Sequence, residues 1–304
     1  VEVPSDAFAY VTTADGSKLF YEDGIAFGEP SSMSPYVVRF TSDEYQTIDG
    51  FGAALTVSSC YNLLKMDESG RTAFLRQMFD PETGAGSSLI RVCIGGSDFS
   101  WDYGESGLSS DGRFTWCDTE GMSNFAPHPM DVRYVVPVLK EIYAINPAVK
   151  VIGSPWTAPR WMKENYSWTG SHLRKECYGD YAQYFVKFVE AFAAEGICIY
   201  AVAPQNEPLN PGNCASLYMP WNEEAGFVQQ LAPAFAEAGL KTKIYLFDHN
   251  YNYDNKEDQR QYPAKIYKLF ENKEFAGKEL IVGAAYHNYG GSTDQLNVIH
   301  DLYP

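Results

Sequence analysis

The chain has 304 residues, of which 45% are apolar; that is enough for a sizeable core and excludes a disordered chain. A formal net charge of −16 argues against a nucleic-acid or anionic-membrane partner, since both require Lys/Arg patches. No apolar run approaches the roughly 20 residues of a membrane span.

Residues 1–45 are rich in Thr, Ser, Tyr and Val, with turn-forming stretches TTADGSK and GEPSSMSP and β-like runs such as Tyr36–Phe40. They read as extended chain, one or two strands of a separate β layer that cannot form a stable sheet domain alone. The opening VEVPSDAFAY carries no basic n-region and no apolar h-region, so no signal peptide is visible, and without an initiator Met it is expected to be a mature or trimmed chain.

After that segment an alternation sets in. Short apolar runs lie near Ile48–Ala54, Leu89–Ile94, Val151–Gly153, Tyr200–Pro204, Ile244–Phe247 and Leu280–Tyr286. Their brevity and continuous apolarity predict parallel strands buried on both faces. Helical periodicity fills the intervals. Residues 59–79 are expected to be helical. A helix from Asp131 carries Val135, Val138, Leu139 and Ile142 and ends at Asn146-Pro147. In DYAQYFVKFVEAFAAEG, Asp180 is the expected N-cap with Gln183 three residues on, Tyr181, Tyr184, Phe185, Phe188, Val189 and Phe192 share one face, and Gly196 stops the helix. A further helix starts at an Asn222 cap, carries Phe227, Val228, Leu231 and Phe235, and ends at Gly239. Residues 262–272 and 294–302 complete the set. Strand–helix alternation implies a parallel sheet covered by helices. Six units are countable: an open doubly wound sheet can stop at six, whereas a (β/α)₈ barrel cannot, because closure needs eight strands.

The six cysteines, Cys60, Cys93, Cys117, Cys177, Cys198 and Cys214, form no CxxC and no zinc-like spacing. Cys93 and Cys198 lie in apolar runs and are expected to be buried, whereas Cys117, Cys177 and Cys214 lie in loop-like segments where pairing is feasible. The compartment stays open on this ground.

The residues just past each strand are more informative. Arg91 sits inside the Leu89–Ile94 run, where a charge is costly unless paired, and Asp98 stands at the exit. Val151–Gly153 leads into SPWTAPRWMK with Trp156 and Trp161. Tyr200–Pro204 ends in Gln205, Asn206 and Glu207, Ile244–Phe247 in Asp248, His249 and Asn250, and the last run in His287, Asn288 and Tyr289. Each has an ordinary explanation: a helix cap for an Asp, a satisfied structural histidine, plain packing for Trp161, a structural ion pair for Arg91. Five successive strand ends of one polar character point to a shared pocket, because sites in parallel α/β folds are built at those ends. No G-x-G-x-x-G or P-loop cradles a phosphate, no G-x-S-x-G elbow presents a serine, and H-x-H and H-E-x-x-H are absent. Carboxylates, amides and Trp suit glycosyl transfer to water, where one acid protonates the leaving oxygen and a second carboxylate attacks the anomeric carbon. The 15% aromatic content, mostly core, is compatible with sugar-stacking walls.

QTIDGFGAALT (46–56), LIRVCIGGSDFS (89–100), VIGSPWTAPRWMK (151–163), QNEP (205–208) and AAYHNYGG (284–291), in this order, resemble glycoside hydrolase family 30. This is the family of glucosylceramidases and bacterial or fungal β-1,6-glucanases, within the Asn-Glu-Pro clan of barrel glycosidases. The resemblance implies a retaining β-glycosidase on an α/β (β/α)₈ barrel, residues 46–304, incomplete here at about six units. It assigns residues 1–45 to a β-sandwich built from both chain ends. It implies Glu207 as general acid/base with a raised pKa, Asn206 on the sugar 2-OH, and Arg91, Asp98, Trp156, His287 and Tyr289 lining the subsite, with Arg91 near the nucleophile; Asp248 and His249 are further pocket candidates. The family's nucleophile, a Glu on strand seven, is expected beyond Pro304, because Glu271, Glu274 and Glu279 precede the sixth strand. No cofactor and no metal is implied. The partners expected are a β-glucan, β-glucoside or glycolipid substrate and the missing C-terminal part of the protein, in a secreted or periplasmic setting. Two alternatives stay open: a catalytically silent carbohydrate-binding protein on this scaffold, and a metal-dependent hydrolase using Asp248, His249 and His287.

Overall fold

The computed structural model describes residues 7–26, 28, 41–105, 107, 111–255 and 258–304. The chain divides into two compact units, Val1–Asp49 and Gly50–Pro304. In the first, β1 (Ala7–Val11) pairs antiparallel with β2 (Tyr21–Ile25), Ala7 opposite Ile25 and Val11 opposite Tyr21. Asp15 and Thr13 tighten the connection by accepting the backbone N–H groups of Ser17 and Lys18. The β-like run Tyr36–Phe40 lies outside the described residues.

The second unit runs β3 (Gly52–Ala54), α1 (Val57–Lys65), α2 (Glu68–Phe79), β4 (Leu89–Cys93), α3 (Val136–Ile145), β5 (Lys150–Ser154), α4 (Tyr178–Ala194), β6 (Ile199–Val202), α5 (Trp221–Glu237), β7 (Lys243–Asn250), α6 (Tyr262–Phe270), β8 (Ile281–His287) and α7 (Asp294–Leu302). Strands β3 to β8 form one sheet in sequential order, every neighbouring pair parallel. This is a curled half-barrel, six strands of an incomplete (β/α)₈ barrel: the alternation predicts the parallel sheet, and the family resemblance the barrel. Sequential parallel pairing sends all six strands the same way, so the residues after β4 to β8 emerge at one end.

Local chemistry sets the details. The first strand begins only at Gly52, where a side chain would meet the Leu89 carbonyl at 1.6 Å, so the close approach of β3 to β4 demands glycine. The expected helix over 59–79 is two helices, because Asp67 caps a new one by accepting the Gly70 N–H, while Thr56 caps α1 through Ser59. Helix α4 begins at Tyr178, earlier than the expected Asp180 cap; Asp180 lies in the first turn, where its charge meets the positive end of the helix dipole. Asn222 likewise lies inside α5, which starts after Pro220. Gly196 and Gly239 end α4 and α5 with φ of 79° and 70°. A π-helical turn, Asp131–Val135, precedes α3. All six cysteines are free. Contrary to expectation Cys198 is exposed, since it falls in the turn between Gly196 and β6, while Cys117 and Cys177 are buried.

The core fills the space between the sheet and its helices and is strongly aromatic. Phe188 of α4 is fully buried and its ring centroid lies 4.8 Å from those of both Trp116 and Phe192. Phe188→Ala empties this cluster and is expected to lower unfolding free energy by about 3–5 kcal/mol, measured by chemical denaturation of the intact protein.

Candidate active site

The site begins with Arg91. Ile90 and Val92 on either side of it are buried in the core, so strand alternation turns the guanidinium to the opposite face. There Arg91 Nη2 donates to Asp248 Oδ2 at 2.7 Å and to Asn206 Oδ1 at 2.8 Å, and its guanidinium lies 4.8 Å from the Trp156 ring centroid. One cation thus gathers the tips of β4, β5, β6 and β7.

Asp248 is held on every side. Oδ2 also accepts from Ser154 Oγ at 2.6 Å, and Oδ1 lies 3.0 Å from His287 Nε2. Burial opposes its charge, but Arg91, His287 and Ser154 outweigh burial and keep the carboxyl well below the usual carboxylate range. The other ring nitrogen of His287, Nδ1, lies 3.2 Å from Glu207 Oε1. Burial disfavours an imidazolium here, yet the hydrogen bonds to Asp248 and Glu207 raise His287 to about 9.

Glu207 Oε2 accepts the side-chain amides of Asn210 at 2.8 Å and Asn213 at 3.1 Å. The His287 hydrogen bond, against burial and with help from Asn210, holds the Glu207 carboxyl at about 2. The raised pKa expected of an acid/base glutamate is therefore not what this cluster gives. Its dissociable proton resides on His287, because two carboxylates stabilise an imidazolium between them more than either stabilises a neutral acid.

The backbone here is strained. Glu207, Phe247 and Asp248 have φ of 48°, 76° and 49°. Each such non-glycine residue costs on the order of 1–3 kcal/mol. The β7–β8 register shifts between Phe247 and His249, a bulge that re-aims Asp248, and the Glu207 N–H donates to the Asp248 carbonyl at 2.9 Å.

The cluster therefore brings together Arg91, Trp156, Asn206, Glu207, Asp248 and His287. Asn206 is buried, its N–H donating to the Pro155 carbonyl. Tyr289 is exposed; its N–H donates to Asn250 Oδ1, and its ring lies edge-on, 6.4 Å from that of His287. Asp98 is exposed on the loop after β4, near enough to Cys93 and Cys214 to raise their thiols alongside the larger effect of burial, and among the described residues it makes no hydrogen bond to the cluster. His249 is fully buried, stacked 3.9 Å from Tyr253, and its Nδ1 accepts the Asn250 N–H. Among the described residues no group of three or more His, Cys, Asp or Glu could hold a metal ion.

Sequence reading missed Ser154, Asn210 and Asn213. Ser154 stands two residues before Trp156. Asn210 and Asn213 lie three and six residues past Glu207 in the turn-rich NPGN, where short amides readily fold back on a neighbour.

The family profile described as the glycosyl hydrolase family 30 TIM-barrel domain matches residues 48–304. The chain belongs to this family. A solved endo-β-1,6-glucanase is 48% identical to this family 30 chain with a TM-score of 0.81, covering 97% of this chain and 63% of its own. An endo-1,6-β-D-glucanase of Neurospora crassa is 31% identical over an alignment of 314 positions, which covers 97% of this chain and 61% of that protein. The lysosomal acid glucosylceramidase of Mus musculus is 28% identical over 254 residues, 79% of this chain and 47% of that protein. The chain thus spans less than two thirds of the length of these relatives.

The shifted groups fix the sign of the pH response. His287 is raised above its unfolded value, so its contribution is complete below about 6.5 and is lost as pH rises through about 9. Glu207 is lowered, so its contribution is present above about 4.5 and is lost as pH falls towards about 2. Melting temperature against pH is expected to fall on both flanks, and His287→Gln is expected to flatten the alkaline one.

Proposed function

We propose that this family 30 chain forms the catalytic barrel of a retaining β-glycoside hydrolase that cleaves β-1,6-glucan. The observation that carries the reading is the chain Arg91–Asp248–His287–Glu207 at the strand tips, which keeps a transferable proton beside a carboxylate at neutral pH. The substrate is inferred from the likeness to endo-β-1,6-glucanases at 48% and 31% identity.

In this reading Glu207 is the acid/base group. The His287 imidazolium passes its proton from Nδ1 across 3.2 Å to Glu207 Oε1, which delivers it to the departing glycosidic oxygen. Once the leaving sugar departs, the ionised carboxylate activates water. Asn206, its amide oxygen occupied by Arg91, turns its NH₂ towards the sugar 2-OH, and Trp156 offers a ring face pinned by the guanidinium. Tyr289 and Asp98, both exposed, form the outer wall. Asp248 accepts from Arg91, Ser154 and His287, which engage both of its oxygens, so it orients rather than attacks. The attacking carboxylate is assigned to a glutamate beyond Pro304. Neither a metal nor a cofactor takes part. A polymeric glucan is met outside the cell or in the periplasm, where the protein is placed accordingly; no helix among the described residues is long and apolar enough to cross a membrane.

The intact protein is expected to degrade linear β-1,6-glucan to oligosaccharides and to leave glucosylceramide in mixed micelles largely unhydrolysed; the reverse preference refutes the substrate assignment. Glu207→Gln should slow glucan hydrolysis by about 10²–10⁴-fold and affect an aryl glucoside with a good leaving group far less. Equal loss on both substrates removes Glu207 from the acid role.

A further inference from the structure

Glu224 is an acid that neither the sequence motifs nor the proton transfer uses. It sits in the first turn of α5, fully buried, and reaches the back of the β7 bulge. Its Oε1 accepts the Phe247 N–H at 3.0 Å, and its Oε2 lies 2.7 Å from Tyr262 Oη. Tyr262 Oη also lies 2.6 Å from the Met219 carbonyl, which can only accept.

We propose that Glu224 is a positioning residue: by capturing the Phe247 N–H it holds the left-handed Phe247–Asp248 pair in place, and so aims the Asp248 carboxylate at Arg91 and His287 and its carbonyl at the Glu207 N–H. Three observations carry this. A bulge takes backbone donors out of the strand ladder, and a buried N–H with no acceptor is costly, so the bulge needs an acceptor from outside the sheet. Glu224 supplies one from the helix behind. Two consecutive non-glycine residues with φ of 76° and 49° persist only where surroundings over-determine them, and Phe247 is packed against Tyr262 and Tyr286 at 5.0 and 5.3 Å between ring centroids. Relaxing the bulge shifts the register by one residue and turns Asp248 to the other face of the sheet. Two consecutive links then join Glu224 to the acid/base group: Phe247 N–H to Glu224, and Glu207 N–H to the Asp248 carbonyl.

The count of protons favours a neutral Glu224. One Tyr262 hydroxyl proton cannot fully serve both Met219 and a carboxylate. A protonated Oε2 donates to Tyr262, whose own proton then goes to Met219, while Oε1 still accepts from Phe247. Burial supports this arrangement by raising Glu224 to about 7, with the hydrogen bonds from Tyr262 and Phe247 opposing. Glutamine reproduces the same pattern; aspartate, one methylene shorter, does not reach Phe247.

The inference rests on the reading of this cluster as the catalytic centre, and its test separates the two. In the intact protein, Glu224→Gln is compared with Glu224→Asp by kcat and KM on β-1,6-glucan and by NMR titration of the His287 imidazole, which faces Asp248, Glu207 and Arg91. Glu224→Gln should keep kcat within about threefold of wild type. Glu224→Asp should lose about 10²-fold in kcat with little change in KM, and its His287 should titrate at least about one pH unit below the midpoint measured for wild type. A lowered melting temperature with wild-type kcat and wild-type His287 titration in Glu224→Asp overturns the proposal, as does equal damage in both variants. Should Glu224→Asp not fold, Tyr262→Phe removes the hydroxyl that orients Oε2 and keeps the ring; an unchanged His287 titration there overturns the proposal too. If wild type hydrolyses no β-glucoside, the functional reading fails, and the His287 titration still decides whether Glu224 positions Asp248.

Discussion

An imidazolium between two carboxylates, with a guanidinium behind one of them, holds this molecule's site together. Arg91 and protonated His287 balance Glu207 and Asp248, so four charged groups share a small, largely buried volume without net charge. Coulomb attraction there is far stronger than in water, but only because every charge has a partner. Removing one member strands another, which makes the arrangement an all-or-none unit. It also ties β4, β6, β7 and β8 together at one end of the sheet.

The backbone beneath that unit is not at its local minimum. Glu207, Phe247 and Asp248 take left-handed conformations that their side chains disfavour, and the strain is confined to the places where carboxylates must be aimed. The cost is offset from the rigid layer behind. Phe247 packs into an aromatic cluster, and α5 extends an acid to the bulge. Helices in this half-barrel therefore cover the sheet and also hold the strand tips in shape.

The loops above the strands are joined in the same spirit. Lys163, wholly buried on the loop after β5, donates to Thr157 Oγ1 at 3.0 Å and to the Ser216 carbonyl at 2.7 Å on the loop after β6. Ser216 Oγ in turn donates to the Pro211 carbonyl, next to Asn210 and Asn213, which grip Glu207. The loop bearing Trp156 and the loop bearing Glu207 are thereby fastened to one another, and burial, by lowering Lys163 to about 7, reduces the cost of keeping its amine out of water.

Much of this is legible in the chain. Continuous apolar runs bounded by Gly, Pro and Asn mark five of the six barrel strands closely, because short aliphatic runs favour the extended chain and the breakers at their ends stop it; the expected burial on both faces does not hold for β8, where Val282 is exposed. The remaining strand, β3, is shorter than its apolar run: Ile48 and Phe51 are exposed, and the strand register with β4 spans Gly52–Ala54. Asp180 and Asn222 do not mark helix starts, because capping residues compete with acids and amides that merely favour a first turn. Arg91, Trp156, Asn206, Glu207, Asp248 and His287 stand out as polar residues at strand ends, and the parallel sheet does bring them together. The order of residues along the chain is enough to say which of them can meet, since the pattern of buried strands commits their C-terminal tips to one end of the sheet. What those residues do to each other is settled by packing alone. Arg91 and Asp248 are 157 positions apart, and Glu207 and His287 80 apart, so no local pattern encodes their separation. Protonation depends on distance and burial, both products of packing, and for that reason the proton sits on His287 while Glu207 stays ionised.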